Sequence, residues 1–356
     1  IVLVEETYLR SSIIKKQENL YGFINLPKFY IDFDNSSGRD AARDVKKEII
    51  RLKNLGIKGL VIDLRNNGGG SLKTVVEMAG LFIQEGPVVQ VRSMDKKSEI
   101  LRDKDRSITW EGPLVILVNE FSASASEILA AAMQDYKRAI IIGGKQTYGK
   151  GTVQNVLDLN RMVRSNTNGD LGALKFTTQK YYRINGGSTQ LEGVKSDIIV
   201  PNKYTYVDFG EKDQENPLEW DMIEPVSYKT WKTFFDYNST IEASKNRMES
   251  SEFINLIDDN AKWIKSIRDR DIYDLNYKKF KKDLLLNEER AKKYKKLSEY
   301  SSDLIFESLP YEIDLIEKDS SLGEKRKRWH KNLSKDIYVD EALNVLNDLR
   351  VSYIER

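Results

Sequence analysis

The chain has 356 residues, no cysteine and a single histidine, with 57 Lys plus Arg against 55 Asp plus Glu. The missing cysteine excludes thiol nucleophiles, disulfides, thiolate zinc sites and iron–sulfur clusters, and a Ser-His-Asp triad would have to recruit His330. A net charge of +2 gives no electrostatic case for nucleic acid as a partner, and no apolar run reaches the roughly 18–20 residues of a membrane span. Hydrolytic chemistry here must run on Ser, Thr, Lys, Asp, Glu or Tyr.

At roughly 150 residues per domain the length predicts two domains, and 40% hydrophobic with 31% charged residues reads as soluble and globular. The chain opens at Ile1 with no signal peptide, which reads as a processed protein or a piece cut from a longer one. Ser37 to Leu55 places Ala42, Val45, Ile49 and Leu52 at helical spacing, with Gly56 as the stop. Lys58 to Arg65 is a buried strand running into the turn NNGGG, and Leu72 to Gln84 is helical. Val88 to Val91 and Pro113 to Val118 are strands, a helix starts near Ser124, and Ala139 to Ile142 is a strand again. Strand, turn and helix recurring in this order predict an α/β core with a largely parallel sheet.

From Gly151 to Pro201 the period shifts toward two. Leu174 to Ile184, closed by Asn185-Gly186-Gly187, predicts antiparallel strands and a turn. Beyond about Glu224 glycine thins out and charge rises. Tyr277, Phe280, Leu284, Ala291, Tyr294 and Leu297 fit one face of a long helix, and Asp340 before Ala342, Leu343, Leu346 and Leu349 reads as a capped terminal helix. The expected division is a catalytic unit at 1–205, a linker at 206–223 and a charged helical domain at 224–356.

Three features carry chemistry. DLRNNGGG, Asp63 to Gly70, ends a strand in glycines whose N–H groups can approach a ligand, though a tight turn explains them equally well. FSASASEILAAAM, Phe121 to Met133, sets serines at a strand-to-helix corner. A serine there is commonly an N-cap, yet the field and free N–H groups of a helix start also suit a nucleophile. GGKQTYGKGTVQ, Gly143 to Gln154, sets a lysine between glycines after a buried strand. Burial lowers an ammonium pKa, and a neutral amine can take a serine proton; a solvated loop lysine is the commoner case.

Gly144 to Lys150 also satisfies G-x-x-x-x-G-K, so a degenerate phosphate-binding loop is a rival reading. Gly151 stands where Ser or Thr should ligate Mg²⁺, and the LVIDL aspartate, Asp63, precedes the loop instead of following it. The basic run Lys325 to Arg328, beside Trp329 and His330, reads as a solvated face, and Asp63 as a local cap or pair. Taken together the three features supply oxyanion donors, a nucleophile and a base, the Ser-Lys form of acyl transfer.

At GLVIDLRNNGGG, VNEFSASASEILAAAMQDY, TYGKGTVQ and YYRINGGSTQLEGVKSDIIVP the sequence resembles the carboxy-terminal processing proteases of peptidase family S41, most of all their tail-specific branch. The resemblance covers about residues 1–205, and the charged helical tail resembles that branch's C-terminal extension. It implies Ser124 as nucleophile, with Ser122 and Ser126 as alternatives. It implies Lys150 as general base, oriented by Gln154, and oxyanion donors at Ala125 and at a turn glycine, Gly70 or its neighbour Gly69. The stretch between serine and lysine carries one residue more than is usual in the family. The resemblance further implies a crotonase/Clp-protease-like core with a β-rich portion and no metal, nucleotide or organic cofactor. Its substrates would be proteins or peptides cut at or near their C-termini, in the periplasm or envelope of a bacterium. In some relatives the dyad forms only on activation. The family's PDZ domain is not found, the chain beginning where that domain would end. A scaffold whose helical tail binds an adaptor protein stays open as a different class of function.

Overall fold

The computed structural model describes residues 7–32, 35, 38–93, 98–163, 169–231 and 235–354. Strands β1 (Arg10–Lys16) and β2 (Asn19–Asn25) form a hairpin. Helix α1 (Ala41–Asn54) follows, capped by Asp40, whose side chain accepts the Arg43 N–H. The expected helix start at Ser37 lies outside the described residues. Then come β3 (Leu60–Asp63) and α2 (Leu72–Ala79). The latter stops at Gly80, short of the expected Gln84, because Leu81 to Ile83 turn into the core.

Strands β4 (Gly86–Ser93), β5 (Ser98–Asp103) and β6 (Leu114–Val118) precede α3 (Ala125–Asp135) and β7 (Ile140–Gly143). Strands β8 (Thr152–Asp158), β9 (Ala173–Tyr182) and β10 (Ile198–Ile199) complete this region. The remainder comprises α4 (Tyr237–Ser250), α5 (Glu252–Arg268), α6 (Tyr277–Tyr294), β11 (Ile305–Glu307), α7 (Pro310–Lys318), α8 (Ser320–Leu333) and α9 (Ile337–Ile354).

Two sheets result. The larger runs β10-β7-β6-β3-β2-β1-β11, parallel from β10 to β2 and antiparallel beyond; the smaller, β5-β4-β9-β8, is antiparallel. This is the expected α/β core with a β-rich portion, followed by a helical C-terminal region. The central strands read as continuous apolar runs because both faces are covered. Leu60, Ile62, Leu114 and Ile116 join the core under α1, α2 and α3, whereas Val61, Val115 and Leu117 join a second core under α9. In α9, Ala342, Leu343, Leu346 and Leu349 are fully buried. Truncating such a leucine to alanine costs about 2–5 kcal/mol.

In the helical region one expected helix forms with its apolar residues exposed, and one expected cap needs correction. Tyr277, Phe280 and Leu284 on α6 are exposed, and among the described residues of that helix only Tyr294 is buried. The expected helix forms as far as Tyr294, and its apolar residues Tyr277, Phe280 and Leu284 face water. The cap of α9 is Asp336, not Asp340: Asp336 Oδ1 accepts the Tyr338 N–H at 3.0 Å, and Asp340 lies inside the first turn. His330 packs on Phe306 and meets Ser12 Oγ through Nε2 at 3.2 Å, so it serves the second core. No helix among the described residues is long and apolar enough to cross a membrane.

Candidate active site

Strands β3, β6 and β7 are adjacent and parallel, so their C-terminal ends open on one edge, where open α/β sheets place ligands. The three chemical motifs follow those three ends. The glycine turn leaves β3, the serine corner leaves β6, and the lysine loop leaves β7.

The serine corner is tied to the glycine turn through Asn67, whose side chain is fully buried. The Asn67 carbonyl accepts the Ala123 N–H at 3.0 Å and Ser126 Oγ at 2.8 Å, and its Nδ2 donates to the Leu26 carbonyl. Ser122 Oγ donates to the Leu64 carbonyl at 2.9 Å and accepts the Asn119 N–H. Both flanking serines are thus buried and held by backbone. Ser124 is different. It is the N-cap of α3, half-buried, at φ 57° and ψ −114°, a region that strains any residue with a Cβ.

Gly69 and Gly70 have φ of 104° and 147°. A Cβ on Gly69 would lie 2.8 Å from Ser124 Cβ and 3.0 Å from the Ala125 nitrogen, so only glycine lets the turn reach the corner. The Gly69 N–H donates to Asn67 Oδ1 at 2.8 Å. Gly70 pairs with Phe29 through its neighbours: the Gly69 carbonyl accepts from Phe29 N–H, and Ser71 N–H donates to the Phe29 carbonyl. In such a parallel bridge the Gly70 N–H points away from Phe29. Ala125, at the first helical position of α3, has an N–H with no intrahelical acceptor.

The lysine loop is fixed from behind. The Lys150 carbonyl accepts Thr189 Oγ1 at 2.8 Å and also the Tyr181 hydroxyl, while Gly151 N–H donates to Gln190 Oε1. Lys150 Nζ donates to Gln154 Oε1 at 3.2 Å, beside a bulge between Val153 and Gln154. Burial, joined by the charge of Lys175, lowers the Lys150 ammonium pKa against the opposing pull of Glu211 and Glu127. Among the described residues Lys150 Nζ makes no hydrogen bond to Ser124 Oγ.

The residue that sequence reasoning missed is Glu127, which is fully buried between the corner and the loop. Its Oε2 accepts Ser124 N–H at 2.8 Å and Lys150 N–H at 3.1 Å; its Oε1 accepts Thr147 Oγ1 at 2.6 Å and Gly149 N–H at 2.7 Å. Burial pushes this carboxyl up to about 7, opposed by the bonds from Thr147, Gly149, Ser124 and Lys150. The signal was in the sequence: Ser124-x-x-Glu127 is a capping-box spacing.

The phosphate-loop alternative fails on this geometry. Gly144 to Lys150 leads into β8, with no helix to face a phosphate, and two of its N–H groups already hold the Glu127 carboxylate. Asp63 is paired with Arg65, at 2.8 Å. Phe121 packs on Phe209 with ring centroids 4.4 Å apart, giving the serine corner an apolar flank the sequence did not reveal.

Comparison with known proteins agrees with the family resemblance. The profile of Peptidase family S41 matches residues 20–200, and that of the C-terminal domain of tail specific protease matches residues 204–350. The chain is 35% identical over 356 residues to a tail-specific protease of Haemophilus influenzae, covering 98% of this chain and 49% of that protein. A carboxy-terminal-processing protease of Bartonella bacilliformis is 35% identical over 210 residues, 57% of this chain and 45% of that one. Among solved structures, a photosystem II D1 C-terminal processing protease aligns with a TM-score of 0.44 at 28% identity, over 54% of this chain and 47% of that one. The chain spans about half the length of the curated relatives it matches.

Proposed function

The chain belongs to peptidase family S41, and from that premise we propose that it is a serine endopeptidase working through a Ser124–Lys150 dyad. The observation that carries the choice of nucleophile is the contrast among three serines. Ser122 and Ser126 donate into backbone carbonyls, whereas Ser124 caps α3 in strained geometry. That placement favours the start of a helix as the seat of attack.

In this reading neutral Lys150 takes the proton of Ser124 Oγ as that oxygen bonds to a peptide carbonyl carbon. The carbonyl oxygen gains the negative charge and accepts from Ala125 N–H and Gly70 N–H. Gly70 is favoured over Gly69, whose N–H is engaged by Asn67. Collapse breaks the C–N bond, the lysine proton passes to the leaving amine, and water then hydrolyses the acyl-enzyme with Lys150 again as base. Gln154 holds the amine in line. The lowered Lys150 pKa supports this role, since only the unprotonated amine is a base. In this reading the Ser124–Lys150 hydrogen bond forms when substrate binds.

The proposed substrates are unfolded proteins and peptides cut at or near their C-termini, in a bacterial envelope or periplasm, with residues 1–205 as the catalytic unit and 224–356 as its helical partner. The exposed apolar residues Phe280, Leu284 and Leu285 of α6 offer a surface for an adaptor protein. The test is degradation of an unfolded protein with an apolar C-terminus by wild type, Ser124→Ala and Lys150→Ala, without nucleotide or metal. Cleavage by wild type alone is expected. Equal cleavage by Ser124→Ala would remove the proposed nucleophile.

A further inference from the structure

The glycine turn begins at Arg65, whose guanidinium is held from two sides. Arg65 Nε and one terminal nitrogen meet Asp63 Oδ1 and Oδ2 at 2.9 and 2.8 Å, and Asp63 Oδ1 also accepts the Arg65 N–H. That same terminal nitrogen lies 2.7 Å from Asp336 Oδ2, and the guanidinium packs against the Tyr338 ring at 5.4 Å. All three charged side chains are largely buried. One clamp is local to the strand end; the other comes from the C-terminal helical region.

Asp336 divides its carboxylate between two tasks. Oδ1 caps α9, accepting from Tyr338 N–H, and Oδ2 takes Arg65. Midway along, at Leu346, α9 reaches Gly59, where an added Cβ would lie 3.1 Å from the Leu346 methyl groups. Helix α9 therefore lies along β3 from before its start to its exit, and Asp336 stands where that strand passes into the turn. Beyond Arg65 the turn continues through Asn66 at φ 61°, held by paired bonds to Asn119, and Asn67, the link to the serine corner. A displaced Arg65 would move the start of the segment that ends at Gly70.

We infer that Asp336 is a positioning residue: through Arg65, the C-terminal helical region sets the place of the turn that packs Gly69 against Ser124 and carries the Gly70 N–H. This rests on the proposed protease reading and adds a task for the helical region that fold coverage alone does not require. An oxyanion donor acts on the transition state, so a small misplacement lowers turnover more than substrate binding.

The test uses the full chain and two variants. Asp336→Asn keeps an N-cap oxygen and loses the charge for Arg65, whereas Asp336→Ala loses both. Turnover of an apolar-tailed peptide is measured per active site, counted by covalent titration, together with affinity for a peptide boronate that mimics the tetrahedral adduct. For Asp336→Asn the expected result is a kcat lower by roughly 10- to 100-fold, KM within about 2-fold, and boronate affinity lowered in parallel. Asp336→Ala should match it in kcat and add a lower Tm. Unchanged kcat and boronate affinity in Asp336→Asn, with Ser124→Ala inactive, overturns the inference and spares the protease reading. Cleavage by Ser124→Ala at the wild-type rate overturns the reading itself. Hydrogen exchange across residues 64–71 decides the matter without activity: faster exchange in Asp336→Asn supports the tether, and identical exchange overturns it.

Discussion

Ser124 and Lys150 are joined through one oxygen: Glu127 Oε2 accepts the backbone N–H of the first at 2.8 Å and of the second at 3.1 Å. The proposed nucleophile and base come from loops after different strands, and a buried carboxylate fixes both backbones without touching either reactive atom. This arrangement makes Glu127 a positioning residue and yields the first prediction.

Glu127→Gln retains one acceptor oxygen where four donors converge, so kcat should fall by about 10²-fold with the chain still folded. The folded pKa of about 7 lies above the ordinary 4.5, so the protonated form is favoured by folding. Its stabilising contribution is complete below about 4.5 and is lost as pH rises through about 7, of order 3 kcal/mol. Denaturant melts of wild type and Glu127→Gln from pH 4 to 8 should diverge in that window alone. Parallel curves would count against a buried, titrating Glu127.

Strain at Ser124 predicts a trade of stability against activity. Glycine adopts φ 57° and ψ −114° without a Cβ conflict, so Ser124→Gly should be more stable by roughly 0.5–1 kcal/mol and inactive. By contrast, Ser122→Ala and Ser126→Ala each abandon a buried carbonyl, costing about 1–2 kcal/mol while measurable activity remains. Urea midpoints and peptide turnover on the three proteins check both halves.

The glycines of the turn should not be equivalent. A Cβ on Gly70 would meet the Phe29 carbonyl oxygen at 2.2 Å, whereas one on Gly68 has nothing within 4 Å. Gly70→Ala should lose about 2 kcal/mol or more and nearly all activity, and Gly68→Ala should stay within about 0.5 kcal/mol of wild type. Equal effects at the two positions, read by thermal melts, would contradict the close approach.

Lys175 offers an electrostatic test. It lies on the exposed first half of β9 and lowers the Lys150 pKa, so Lys175→Gln should raise that pKa and move the acid limb of the kcat/KM profile to higher pH. At neutral pH the loss should be roughly 2- to 5-fold at low salt and smaller at high salt, because an exposed charge is screened. An unmoved limb would mean that Lys150 is not the titrating base.

The parts legible in the sequence are those that local pattern dictates. Buried strands such as Leu114–Val118, the glycine turn, and the start of α3 at Ser124 were all readable from apolar runs and turn residues. What stayed hidden depends on distant partners. β11, only three residues long, exists through its pairing with β1. The spacing of Tyr277, Phe280 and Leu284 gave a helix correctly but not the side that faces water. Asp336 resembled any charged residue before a helix, since its pairing with Arg65 arises only when α9 lies on β3. The phosphate-loop likeness was already undercut by Gly151 and by the position of Asp63, and the strand β8 that follows Lys150 removes it.

The most direct test of the dyad is mass mapping of the covalent adduct formed with a serine-directed phosphonate carrying an apolar peptide. The account predicts one adduct, on Ser124, formed far more slowly in Lys150→Ala and absent in Ser124→Ala. An adduct on Ser122 or Ser126, or labelling of Ser124 at the same rate without Lys150, would contradict it.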